Sequence, residues 1–190
     1  MPMLGRQSRR EVCTLVHDLS QELAGIRNWE TTEVAPDEIA NPLIPELYRY
    51  WKEKRGPALL PAKRNFDPLD QPQALGLLMV LERLDDGDYL YRLHGLKAAE
   101  MFGRDLTGHR LREVAGDAAD FFVSKYDRCL SLGRPLYVLH QPVQMPTVAI
   151  LERLLMPFAD DAGQGRFVVA YTAPLAMTGE APNQTTSRMS

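Results

Sequence analysis

Histidines, cysteines and one aspartate cluster are the residues of this 190-residue chain whose types could do chemistry. A zinc or iron site needs several imidazoles or thiolates converging on one point. His17, His94, His109 and His140 contain no i, i+3 or i, i+4 pair, and Cys13 and Cys129 lie too far apart for a CxxC motif. The spacing therefore predicts no metal centre, and two lone cysteines read as reduced thiols. Asp85, Asp86 and Asp88 surround Gly87 without the EF-hand ligand pattern, so the cluster reads as a solvated turn. No G-x-S-x-G elbow, P-loop, G-x-G-x-x-G or H-E-x-x-H occurs. The two glycines of Gly163–Phe167 sit in a hairpin, with no helix behind them to present amides to a phosphate. No catalytic residue is expected, and the chain is read as a non-enzyme.

What remains is a candidate pocket. Tyr91 and Leu93 share one face of a predicted strand, Met101 and Phe102 sit on a short helix, and Phe122 and Tyr126 lie on a longer one. These six are expected to line one cavity between sheet and helices, mostly apolar with a few placed polar groups. His94 and His140, both on predicted strands, are candidates to reach into it, as an axial ligand to haem iron or as donors to an anion. The simpler alternative for each is a strand histidine with a satisfied hydrogen bond. Aromatic residues at these spacings also describe a packed core, so a filled and a liganded interior both stay open. Phe121 and Phe122 point about 100° apart on a helix, so only one can enter the cavity squarely. Cys129, on the apolar face of that helix, acts as a small hydrophobe rather than a photoreactive thiol. No cofactor is assigned.

The elements that must position these residues fall into zones. Val12, Leu15, Val16, Leu19, Leu23 and Ile26 form one stripe of an amphipathic helix from about Ser8 to Arg27. A polar loop is expected over Asn28–Pro36. Pro45 sits in the first turn of a helix carrying Leu47, Tyr48, Tyr50 and Trp51, which Gly56-Pro57 ends. The proline-rich stretch that follows predicts an ordered but irregular crossing. LLMVLERL and DYLYRLHG, joined across Asp-Gly, predict a hairpin. LKAAEMFG predicts a short helix closed by a left-handed Gly103, and Asp117 is placed to cap the helix that Gly133 terminates. PLYVLHQPVQM, TVAILERLLMPFA and GRFVVAYTAPL complete the strands. The order strand–strand–helices–strand–strand–strand predicts an α+β fold, one five-stranded antiparallel sheet with helices on one face. The domains are then an N-terminal helix and linker (1–38), the sheet domain (39–175) and a disordered tail (176–190).

This order resembles a PAS domain, in particular a bacterial family of short proteins built around a single one. The residues that carry the likeness are LYRYWKEKRG, LPAKRNFDPLDQP, the hairpin end YRLHG and, above all, FGRDLTGHRL, within a span from Ile39 to Leu175. His94, where relatives carry a small aliphatic residue, and the N-terminal helix depart from the pattern. The resemblance implies a role in signal reception or protein association, and frequent dimerisation; it does not supply a ligand.

Bulk properties agree. With 45% hydrophobic and 25% charged residues the composition is that of a globular protein, and a net charge of -3 supplies no basic field for nucleic acid. No apolar run reaches the roughly 20 residues of a membrane span, and the N-terminus lacks the apolar stretch of a secretory signal. The expectation is a cytoplasmic sensor or adaptor, homodimeric through its N-terminal helix, that answers a small molecule or a signalling protein. With no output segment among the 190 residues, the signal is expected to leave through protein contacts. The alternative is a ligand-free interaction module with a solid core.

Overall fold

The computed structural model describes residues 29–33, 39, 41–142 and 151–174. Its centre is a six-stranded antiparallel sheet: β1 (Trp29–Glu33), β2 (Leu78–Arg83), β3 (Tyr89–His94), β4 (Leu136–Pro142), β5 (Leu151–Ala159) and β6 (Gly165–Pro174), in the spatial order β1-β4-β5-β6-β2-β3. The five expected strands are all present. The sixth is a correction, because residues 29–33 were expected to be loop and instead pair with β4, Trp29 opposite Pro142 and Glu33 opposite Val138. WETTE holds two β-branched threonines and two glutamates, a composition that suits an edge strand. The amphipathic helix expected over Ser8–Arg27 and the tail expected over 176–190 lie outside the described residues.

Strands β5 and β6 are the hub, and their near-continuous apolar runs reflect burial on both faces. On one face Met79, Leu81, Leu155, Val168 and Ala170 pack under α2 (Leu96–Met101), α3 (Leu111–Ala115) and α4 (Ala119–Leu132). On the other, Leu78, Val80, Leu154, Met156 and Val169 pack under α1 (Leu43–Arg55), which contributes Ile44, Leu47, Tyr50 and Trp51. Helices therefore cover both faces, not one. Every second residue of a strand needs a cover on its own side, and LYRYW supplies the second set.

As expected, Pro45 lies in the first turn of α1 and Gly56 ends the helix, with φ +55°. Just ahead of the helix, Asn41 Oδ1 accepts from the Leu43 amide at 3.0 Å. The proline-rich crossing runs through three short 3-10 turns, Lys63–Asn65, Pro68–Asp70 and Leu75–Leu77. The Tyr50 hydroxyl pins it, accepting from the Asp67 amide at 3.1 Å and donating to the Asp70 carboxylate at 3.0 Å. Gly103 adopts φ +72° as expected, and Gly133, expected to terminate α4, does so at φ +62°. Asp117 does not cap α4. It lies inside a 3-10 turn, Gly116–Ala118, and Ala118 stands at the cap position without a side-chain bond.

Candidate functional site

A cavity of about 360 Å³ lies between the sheet and helices α3 and α4. Met79 of β2, Tyr91 of β3, and Leu151 and Arg153 of β5 form its floor. Leu111, Val114 and Ala115 of α3, with Phe122 and Tyr126 of α4, form the roof. Phe102, Arg104 and Leu106 close one side. The volume falls within the range of small-molecule sites, and the lining is mainly apolar, as such sites are.

The side wall explains the FGRDLTGHRL motif residue by residue. Asp105 Oδ1 accepts from the Thr107 amide at 2.8 Å and shapes the turn. Gly108, at φ +84°, donates to the Tyr91 carbonyl at 2.8 Å, and the Tyr91 amide donates to the His109 carbonyl at 3.0 Å. The loop thus runs along the outer edge of β3 as an added half-strand. Arg110 then reaches Asp86 and, at 3.0 Å, Asp88. Buried Asp88 also accepts from the amides of Tyr89 and Arg112, so the acidic turn clamps the start of α3. The expected solvated turn holds for exposed Asp85 and Asp86, whereas Asp88 is buried and paired with Arg110.

Of the six residues expected in the cavity, the structure brings together Tyr91, Phe102, Phe122 and Tyr126. Leu93 is not among them. The β2–β3 pairing shifts between Val80 and Leu81, so Tyr91 opposes Leu81 while Leu93 opposes Val80. This one-residue bulge turns Leu93 to the opposite face, where it joins the core under α1. Met101 is buried at the end of α2, outside the lining.

The same bulge returns His94 to the cavity side, but as a brace rather than a lining residue. Its ring lies 5.8 Å from Tyr91 and 5.6 Å from Phe102. Nδ1 accepts from the Leu106 amide at 3.2 Å, and the His94 amide donates to Thr107 Oγ1 at 3.2 Å. An accepting Nδ1 places the proton of the neutral ring on Nε2. His140 stands behind the roof, fully buried, its ring 5.1 Å from Phe121 and 5.9 Å from Phe122. Phe121 and Phe122 thus split as expected: Phe122 lines the cavity, and both meet His140. Neither histidine lines the cavity, so neither is placed to meet an iron held there. Among the described residues, no group of three or more His, Cys, Asp or Glu side chains is arranged for a metal ion. Cys129 is buried, and burial pushes its thiol well above the ordinary range.

Two arginines in the lining were missed. Arg104 is exposed at the rim. Arg153 is only 3% exposed. Its Nε donates to Thr172 Oγ1 at 3.0 Å and Nη2 to the Tyr126 hydroxyl at 2.7 Å, while its guanidinium lies 5.4 Å and 5.2 Å from the Phe122 and Tyr126 ring centroids. No carboxylate pairs with it among the described residues. Its neighbour Glu152, also buried, points the other way and accepts from Asn41 Nδ2 and, at 2.8 Å, from the Tyr137 hydroxyl. The signal for Glu152 and Arg153 was available: ER interrupts an otherwise apolar strand, and charges inside a two-sided strand need a dedicated environment.

Burial, reinforced by the positive charges of Arg153 and Lys125, pushes His140 down to about 2, and burial also lowers His94. The folded protein therefore resists protonation of both rings, while the unfolded chain takes up protons below about pH 6.5. Stability from this source is complete above that pH and is lost as pH falls toward 2, by about 1.4 kcal/mol per pH unit for His140. Urea unfolding at pH 6.5 and 5.0 should differ by about 2 kcal/mol from His140 alone, before the paired carboxylates titrate. In His140→Phe only the smaller His94 part should persist. An unchanged pH dependence in that variant would refute the assignment.

Fold and site together define an α+β module with a partly open cavity between its sheet and helices α3 and α4. A PAS domain family model matches residues 40–172, more than half of the chain. The chain belongs to the PAS domain family, whose members are sensor or interaction modules. Comparison with curated proteins finds no match. No helix among the described residues is long and apolar enough to cross a membrane.

Proposed function

We propose that this domain is a sensor or adaptor that binds a small molecule in the cavity under α3 and α4 and passes occupancy on as altered protein contacts. The observation that carries the reading is the cavity itself: it is partly open, about 360 Å³ in volume and mainly apolar, with a buried arginine in its floor. The reading is non-catalytic. Burial raises the Tyr91 phenol well above its ordinary value, so it does not exchange a proton near neutral pH. We place the protein in the cytoplasm as a homodimer held by the amphipathic stripe of Ser8–Arg27, with a signalling protein as the further partner. Residues 39–175 form the sensory unit of this reading. A ligand can bias such contacts only by binding one arrangement more tightly than another.

Native mass spectrometry of freshly purified protein, set against the same sample after denaturation, tests the cavity's role. A retained mass that disappears on denaturation is expected, and Ala118→Phe, which fills the cavity from its lining, should abolish it. Identical masses before and after would favour the ligand-free interaction module.

A further inference from the structure

We infer that the ligand is a small monocarboxylate with an apolar body, its carboxylate held by Arg153. This rests on the reading of the cavity as a binding site. Arg153 is always charged, yet it is buried and has only neutral partners among the described residues: a tyrosine hydroxyl, a threonine hydroxyl and the Phe122 and Tyr126 ring faces. A buried ion that lacks a counter-ion is costly, and the cavity it lines contains no acid among the described residues. Thr172 and Tyr126 each accept one N–H, which fixes the plane of the guanidinium and leaves three of its five donors uncommitted. A planar carboxylate matches that fork with two parallel charge-assisted bonds. The Tyr126 hydroxyl accepts from Arg153, so its own proton is available to the same anion.

Charge balance sets the valence. One buried cation is neutralised by one negative charge. The remaining walls are neutral: His140 and His94 are uncharged near neutral pH, and the second arginine, Arg104, is exposed at the rim. A dianion would strand a charge among Leu111, Val114 and Phe122. Those same walls suit an aryl or alkyl body.

The test is calorimetric titration of the full chain with 4-phenylbutyrate and with its amide, two probes that share a body and differ in charge. The acid should bind about tenfold or more tightly than the amide. Arg153→Gln should remove that preference, and Arg153→Lys, which keeps the charge and loses the fork, should retain part of it, so a failure of the first variant to fold leaves the second as a check. Equal affinity of acid and amide would overturn the anion assignment and leave the binding cavity standing. Absence of binding by both would overturn both readings. An acid preference that survives Arg153→Gln would overturn the role of Arg153.

Discussion

Gly95→Ala unfolds at a markedly lower urea concentration than the wild type, with a loss of about 3 kcal/mol. Gly95 has an ordinary backbone conformation, φ -62° and ψ 148°, in which alanine is under no strain. By chain entropy alone the substitution would stabilise. Space decides instead. A Cβ at this position would stand 2.5 Å from the Gly76 carbonyl oxygen and 2.7 Å from both the Gly76 carbonyl carbon and the Leu75 oxygen. All three are backbone atoms and cannot rotate away. The close approach exists because the Gly95 amide donates to the Leu78 carbonyl at 2.8 Å, drawing the end of β3 against the turn that opens β2. Gly76→Ala is the control. Its Cβ would meet the Lys97 side chain at 2.8 Å, a flexible neighbour that can move, so this variant should lie within about 0.5 kcal/mol of the wild type. A Gly95→Ala protein as stable as the wild type would show that the two segments are not in contact.

Trp51→Ala carries the second large effect, a loss of about 4 kcal/mol. Trp51 is 2% exposed, the largest side chain that α1 places on the sheet, and its indole donates to the Pro157 carbonyl at 2.8 Å. Truncation opens a cavity over β5 and leaves that carbonyl without its donor. For a domain of this size the melting temperature should fall by about 8–16 °C. Trp51→Phe, which keeps most of the volume, should lose much less. A melting temperature within 2 °C or so of the wild type for the alanine variant would mean that α1 is not the cover of the second face.

Much of this architecture was legible in the chain because local chemistry and global fold agree. Asp-Gly at 86–87, the left-handed glycines at 103 and 133, and the alternating strands all act within a few residues of where they are read. FGRDLTGHRL could be identified from its letters, while the reasons for those letters lie in Tyr91, His94 and Asp88, far away in sequence. The errors share one cause, which is that they depend on partners. WETTE is a strand only because β4 offers an edge, and α1 crosses to the second face because β5 and β6 are apolar on both sides. Leu93 left the expected cavity through a bulge that strict alternation does not foresee. Arg153 was overlooked because an arginine in a strand reads as solvated, and only the pairing of β5 with β4 and β6 buries it.

The back-to-back burial of Glu152 and Arg153 has a consequence for how the sheet finds its alignment. Each ion is satisfied only on its own side: the carboxylate by Asn41 and Tyr137, the guanidinium by Tyr126 and Thr172. Sliding β5 by a single residue would exchange the two sides, turning the carboxylate from the Asn41 amide toward the electron-rich ring faces of Phe122 and Tyr126 and taking the guanidinium away from them. An apolar strand could tolerate such a slip, since leucine and methionine fit either layer. The adjacent opposite charges act as a key cut on both edges, making the out-of-phase hairpin costly before any helix docks on it.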